Sequence, residues 1–252
     1  MTVVQFRSQQ PIADLTLPPG RMHNNLWVSS EPISDASLYL ACVAAYPRTG
    51  RWPVLIPSDP RFEMSGEDWI DDRGWLPPAG HEVDTVDVAA TLADWWEPPC
   101  CEGTCLQPYD ATFPGVARRA PRRADPFAEA GNTGSILAAR GDSRLGIVET
   151  PRPADIPAVL GWRGTLNQTD QVAAVSAVLR SWEDRFGAVL ISLGFDELQL
   201  SVAAPPKTKA RALVVAAEHR AFCLADFSWH RGTLREFATE LMGKRLWSFL
   251  WD

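Results

Sequence analysis

Lysine is nearly missing from this sequence: Lys207, Lys209 and Lys244 stand against 21 arginines, an imbalance that reflects genome composition more naturally than a binding device. No apolar run approaches the roughly eighteen residues of a membrane span, and no basic patch followed by an apolar core opens the chain. Neither a membrane segment nor a secretion signal is expected. Cysteine is scarce and odd in number, with Cys42, Cys100, Cys101, Cys105 and Cys223 irregularly spaced. In a reducing cytoplasm, the expected location, these are free thiols. Gly131-Asn132-Thr133-Gly134 is followed by no Gly-Lys-Ser or Gly-Lys-Thr and preceded by no strand, so it is no phosphate loop. No cofactor is expected, and no stretch has the spacing of a known catalytic or metal site.

What is present suffices for a packed core: 252 residues, 46% of them hydrophobic, in one large domain or two small ones. The formal charge of -7 is uneven, since residues 1–154 carry all of it and 155–252 are balanced. Nucleic acid is therefore not an expected partner, because phosphate contacts need clustered bases. Arg118-Arg119-Ala120-Pro121-Arg122-Arg123 is the exception. Residues 59–102 hold twelve acids against Arg61 and Arg73. Such a stretch reads as a solvated loop-and-helix face or as a docking surface for a basic partner.

The clearest pattern lies at 170–187. Val172, Val175, Val178, Leu179, Trp182 and Phe186 recur at helical spacing behind an N-cap at Thr169 or Asp170, and Gly187 supplies a left-handed stop. Ala188 to Phe195 follows as a strand apolar on both faces, hence central. Leu198 to Ala203 alternates and belongs nearer an edge, with Pro205-Pro206 ending the pairing. Further on, Ala210 to Phe222 reads as a helix with Leu213, Val214, Ala217 and Ala221 inward. Thr233 to Glu236 is a capping box opening another, and Leu246 to Trp251 is a last strand.

Upstream, Thr2 to Phe6 and Leu26 to Val28 are short strand candidates. A helix capped by Ser34 ends at Pro47, and Arg51 to Ile56 is a strand that Pro53 assigns to an edge. Asp84 caps a helix running to Trp96. Pro98 to Pro126 has little periodicity, and Gly131 to Gly134 extends the break. The organisation expected is an acidic, Trp-rich N-terminal half (1–117), a solvated linker (118–143) and a C-terminal module (144–252). From 144 the order is strand, helix, strand, strand, helix, helix, strand. That order predicts an α+β fold, with helices packed on a mixed or antiparallel sheet and a smaller α+β N-terminal half.

Several motifs of the C-terminal module carry a resemblance. Gly161-Trp162-Arg163-Gly164 with Asn167, the run Leu179 to Ala188, Leu200 to Pro206, Ala216 to Cys223 and Trp247 to Asp252 resemble the bacterial family called domain of unknown function 4253. The resemblance covers about 144–252. Pro47 to Gly50 with Trp52-Pro53, and Leu92 to Trp96, are similar to the leading half of longer members. The resemblance implies no activity. It implies Cys-Pro-Asp after the histidine segment, where this chain has Cys223-Leu224-Ala225-Asp226.

Catalysis has one candidate set, Glu218, His219 and Cys223. His219 and Cys223 are four apart on a helix, and an imidazole beside a thiol holds the nucleophilic thiolate. The bland alternative is a histidine hydrogen-bonded at the sheet edge, with Glu218 paired to Arg185 or Arg180. Glu183 and Asp184 diverge by about 100 degrees, so they do not share one cleft and read as surface ion pairs. Cys100, Cys101 and Cys105 with Cys42 or His81 lack zinc spacing, and no metal is expected.

Eleven tryptophans are mostly core material, although Trp229 and Trp251 are expected at a rim, where aromatics serve interfaces. Trp182, Glu183, Arg185, Trp229 and Trp251 form the candidate binding set. The expected function is a non-catalytic protein-binding module for a partner of basic character, of the immunity-like, toxin-neutralising kind, with no assigned oligomeric state. The alternative is a small hydrolase using His219 with Glu218 or Cys223.

Overall fold

Seven strands make one mixed sheet, and residues from both sides of 118–143 build it. They are β1 (Gly20–His23), β2 (Leu26–Ile33), β3 (Arg51–Pro57), β4 (Ser143–Glu149), β5 (Ala188–Leu193), β6 (Glu197–Val202) and β7 (Leu246–Leu250), in the order β1-β2-β4-β3-β5-β6-β7. Among the described residues only β3 with β5 is a parallel pair. Helices packed on this sheet complete the expected α+β fold. The computed structural model describes residues 15–63, 68–71, 75–99, 104–121, 124–225 and 232–251. The strand expected at Thr2 to Phe6 lies outside them. No helix among the described residues is long and apolar enough to cross a membrane.

β3 is central, not an edge strand as Pro53 suggested. Seven register pairs join it to β4, whereas Leu55↔Ser192 alone is its ladder contact with β5. The indole of Trp52 donates to Leu190 O at 2.7 Å, a side-chain bond that reinforces this sparse pairing. A proline is tolerated inside the sheet because the ladder around it is already incomplete.

Helix α1 (Ala36–Thr49) is capped by Asp35 rather than Ser34, and Pro47 sits inside its last turn. Gly50, at φ 65, makes the stop. A four-residue α2 (Pro60–Glu63) follows β3. Beyond the 3-10 turn Gly80–Thr85, α3 (Val88–Asp94) is capped by Asp87, so the helix expected from Asp84 starts later and is shorter. Within 118–143 the structure has α4 (Pro126–Ala138), opened by Asp125 and Pro126. Its Gly131 and Gly134 read as a break in sequence. In space they let α4 approach α1, since a Cβ at Gly134 would overlap the Tyr39 ring. Arg119 donates to Asp184 O at 2.8 Å and Ala120 N to Arg185 O at 2.9 Å, so this part of 118–143 is strapped to the fold although Arg118 and Arg119 are exposed. Arg122 and Arg123 lie outside the described residues.

The C-terminal elements are α5 (Ile156–Leu160), α6 (Val172–Phe186), α7 (Lys209–Phe222) and α8 (Leu234–Leu241). Gly187 stops α6 at φ 60, and its N–H donates to Glu183 O. β5 is buried throughout, as its pattern predicts, while β6, expected to alternate, half-buries Glu197 and Gln199 but buries Ser201 along with Leu198, Leu200 and Val202. Thr233 and Glu236 form the expected capping box. On α7 Ala217 and Ala221 are buried as predicted, while Leu213 and Val214 are half-buried and Ala212, Val215 and Ala216 take the buried side.

Candidate functional site

Trp182 and Arg185 stand three residues apart on α6, so they share the face that meets α7. Both reach Glu218, which is fully buried. Arg185 Nη1 and Nη2 donate to Oε1 and Oε2 at 2.9 and 2.6 Å, Trp182 Nε1 to Oε2 at 2.7 Å, and Ala117 N to Oε1 at 2.6 Å. The pairing of Glu218 with an arginine is thus to Arg185; Arg180 binds Asp155 and Asp84 instead. Arg185 Nη1 also donates to Ala117 O at 2.8 Å, fixing both polar groups of that peptide. A buried carboxylate persists when its lone pairs are filled in this way. Four donors leave it no lone pair aimed at a substrate.

His219 is 3% exposed and sits among the rings of Trp247, Phe249, Trp182 and Phe237 at centroid distances of 4.5, 4.8, 5.1 and 5.9 Å. It is in filled core, and among the described residues its buried Nε2 has no hydrogen-bond partner. Burial, aided by the charge of Lys244, holds its pKa well below the ordinary imidazole value. Cys223 does not share a helix face with it, because α7 ends at Phe222 and Cys223 is the extended C-cap. Its Sγ donates to Leu250 O at 3.2 Å, and its backbone N–H donates to His219 O at 2.8 Å. Leu224 N, where the family resemblance implied proline, donates to Gln168 Oε1 at 3.0 Å, a bond proline would lack.

The candidate binding residues are not brought together on one surface. Trp182 is buried and Arg185 is committed to Glu218. Glu183 binds Arg152 and accepts from Ala154 N at 3.3 Å; burial raises its pKa against the lowering pull of Arg152. Arg152 also takes Asp184, at 2.8 Å, so both carboxylates grip one guanidinium although they do not share a cleft. Trp251, expected at a rim, is 1% exposed: it packs edge-on against Trp162 and Phe222, and its Nε1 donates to Phe222 O. The terminal strand's inward register decides this, not proximity to the chain end. Trp229 lies outside the described residues, as do Cys100 and Cys101. Cys42 is buried, its thiol pushed up to about 12 by desolvation, while His81 is exposed.

Patterning did not find the open concavity of about 340 Å³ between residues 76–86 and the start of α6. Glu82, Thr85, Asp170 and Gln171 supply its polar lining, and Leu76, Pro77, Val86 and Val172 its apolar one. Beneath it Val83, Ala158, Ala173 and Ala177 form a small separate core. Leu76 N donates to Gly161 O at 2.7 Å and Ala79 N to Ala158 O at 2.8 Å, which pins the outer wall to α5. Gly161 permits this approach: its φ is +71, and a Cβ there would overlap the Leu76 carbonyl oxygen. The first glycine of the Gly-Trp-Arg-Gly motif thus holds the groove wall in place. The acidity of 59–102 was the sequence signal for this surface; the second wall, from residues ninety positions later, had none.

Neither a search of curated proteins nor a search of solved structures finds a match to this chain. One family model does match, over the segment that carries β4 to β7, Gly161, and the Trp182, Arg185 and Glu218 cluster. Residues 144–252 of this chain match the model of the family described as Domain of unknown function (DUF4253).

Proposed function

We propose that this protein is a non-catalytic protein-binding module that engages a basic partner. The observation that carries the reading is the closed setting of Glu218, His219 and Cys223. Donors fill the carboxylate, rings wall the imidazole, and the thiol is held to a strand carbonyl. A hydrolase built on them would need a base within reach of a substrate proton and room for the substrate. The net charge of -7 and the acidic stretch 59–102 support a partner of opposite sign, and they disfavour nucleic acid and anionic membrane surfaces. Neutralisation of a basic toxin is the narrower form of the reading and rests on charge and fold class alone. A cytoplasmic setting belongs to the same proposal; the buried Cys42 is a thiol, which supports it.

Thiol labelling of the native full chain at neutral pH, followed by peptide mapping, separates the two readings. Cys223 is expected to label slowly until the protein unfolds; rapid native labelling favours the hydrolase. Affinity capture from native lysate at low salt is expected to retain a basic protein. Retention of none would sink the binding reading.

A further inference from the structure

We propose that the groove between residues 76–86 and the start of α6 is where the basic partner docks, seating a lysine or arginine of an extended segment between Glu82 and Asp170. The inference rests on the binding-module reading and gives it a place and a chemistry. The lining residues include two carboxylates and no base. Other acids nearby are engaged: Asp84 with Arg180, Asp155 with the same guanidinium, and Asp87 as the cap of α3. The carboxylates of Glu82 and Asp170 accept no hydrogen bond among the described residues, and Glu82 lies 3.6 Å from the exposed His81 ring. Asp170 stands two residues before α6, next to its N-cap Gln171.

The groove is also matched to the stem of such a side chain. Leu76, Pro77, Val86 and Val172 offer apolar surface for a methylene chain, while Thr85 and Gln171 offer hydrogen bonds to a peptide backbone. Its walls are fixed by the Leu76 to Gly161 and Ala79 to Ala158 bonds, so little ordering accompanies binding. An open trough accepts a continuous chain. A free polyamine shares the cationic chemistry but brings no peptide groups to Thr85 and Gln171.

The test uses the full chain and a fluorescent peptide, Ala-Lys-Ala-Arg-Ala-Lys with blocked ends, at low salt. Saturable binding is expected, weakened about tenfold in the Glu82→Gln, Asp170→Asn double variant and lost when the peptide's cations are replaced by glutamate. Both positions are exposed, and an unchanged thermal midpoint confirms that the variant is folded. Binding that survives the double substitution overturns the groove assignment while leaving a basic partner intact. Displacement by spermidine at the peptide's own concentration overturns the peptide occupant in favour of a polyamine. No binding at all overturns the inference, and the parent reading falls with it only if lysate capture also retains no basic protein.

Discussion

Arg185 and Glu218 meet as two parallel hydrogen bonds, 2.9 and 2.6 Å, across the contact of α6 with α7, with the carboxylate fully buried and the guanidinium side chain 12% exposed. The fork also clamps the peptide at Ala117, so one ion pair ties three distant pieces of chain together. Removing the cation strands a buried negative charge. Arg185→Met is expected to cost about 3–5 kcal/mol in urea unfolding, and adding Glu218→Gln to restore more than half of that. A loss under about 1 kcal/mol for the single variant would show that the pair is better solvated than its burial implies.

His219 predicts a pH dependence. Its folded pKa is depressed, so the native imidazole stays neutral while the unfolded one takes up a proton below about 6.5. The unfolded state then binds more protons, and stability falls as pH falls, by up to about 1.4 kcal/mol per pH unit. Between pH 6.5 and 5, above the titration of ordinary carboxylates, that slope is expected in the wild type and should flatten in His219→Phe. Equal slopes in the two proteins would place the proton uptake elsewhere.

The family segment leaves a gap in its own sheet. β4 pairs with β2 and β3, and β5 pairs with β3, so a fragment of residues 144–252 has both of those strands without their inner partner. Such a fragment also loses the Ala117 donor to Glu218. Expressed alone, it is expected to lack cooperative unfolding and dispersed amide resonances, since open inner edges expose apolar strand surface. A well-dispersed spectrum from the fragment would show that β4 and β5 re-pair directly.

The elements legible in sequence are those whose signals are local. Gly187 after an apolar stripe, the Thr233 to Glu236 capping box and the continuous apolar run from Ala188 each act over a few residues, and each element forms where they predict. Misread elements depend on a distant neighbour. Gly131 and Gly134 look like a break until α1 presents Tyr39 and Val43, and Pro53 looks like an edge residue until β5 lies beside it. The same holds at the candidate sites. His219 and Cys223 have helical spacing, but the helix stops between them, and Trp251 near the chain end is drawn inward by Trp162 and Phe222.

By itself the sequence determined the class of fold, the Gly187 stop of α6, the charge and the family match of residues 144–252, because hydrophobic period, capping chemistry and motif are properties of neighbours along the chain. Tertiary structure alone decided that β3 enters between β4 and β5, that Glu218 is sealed by Arg185, Trp182 and Ala117, and that Glu82 and Asp170 line one groove. Those outcomes join residues tens of positions apart. They are set by which apolar faces pack and which buried polar atoms find partners, and neither is written in any short window of sequence.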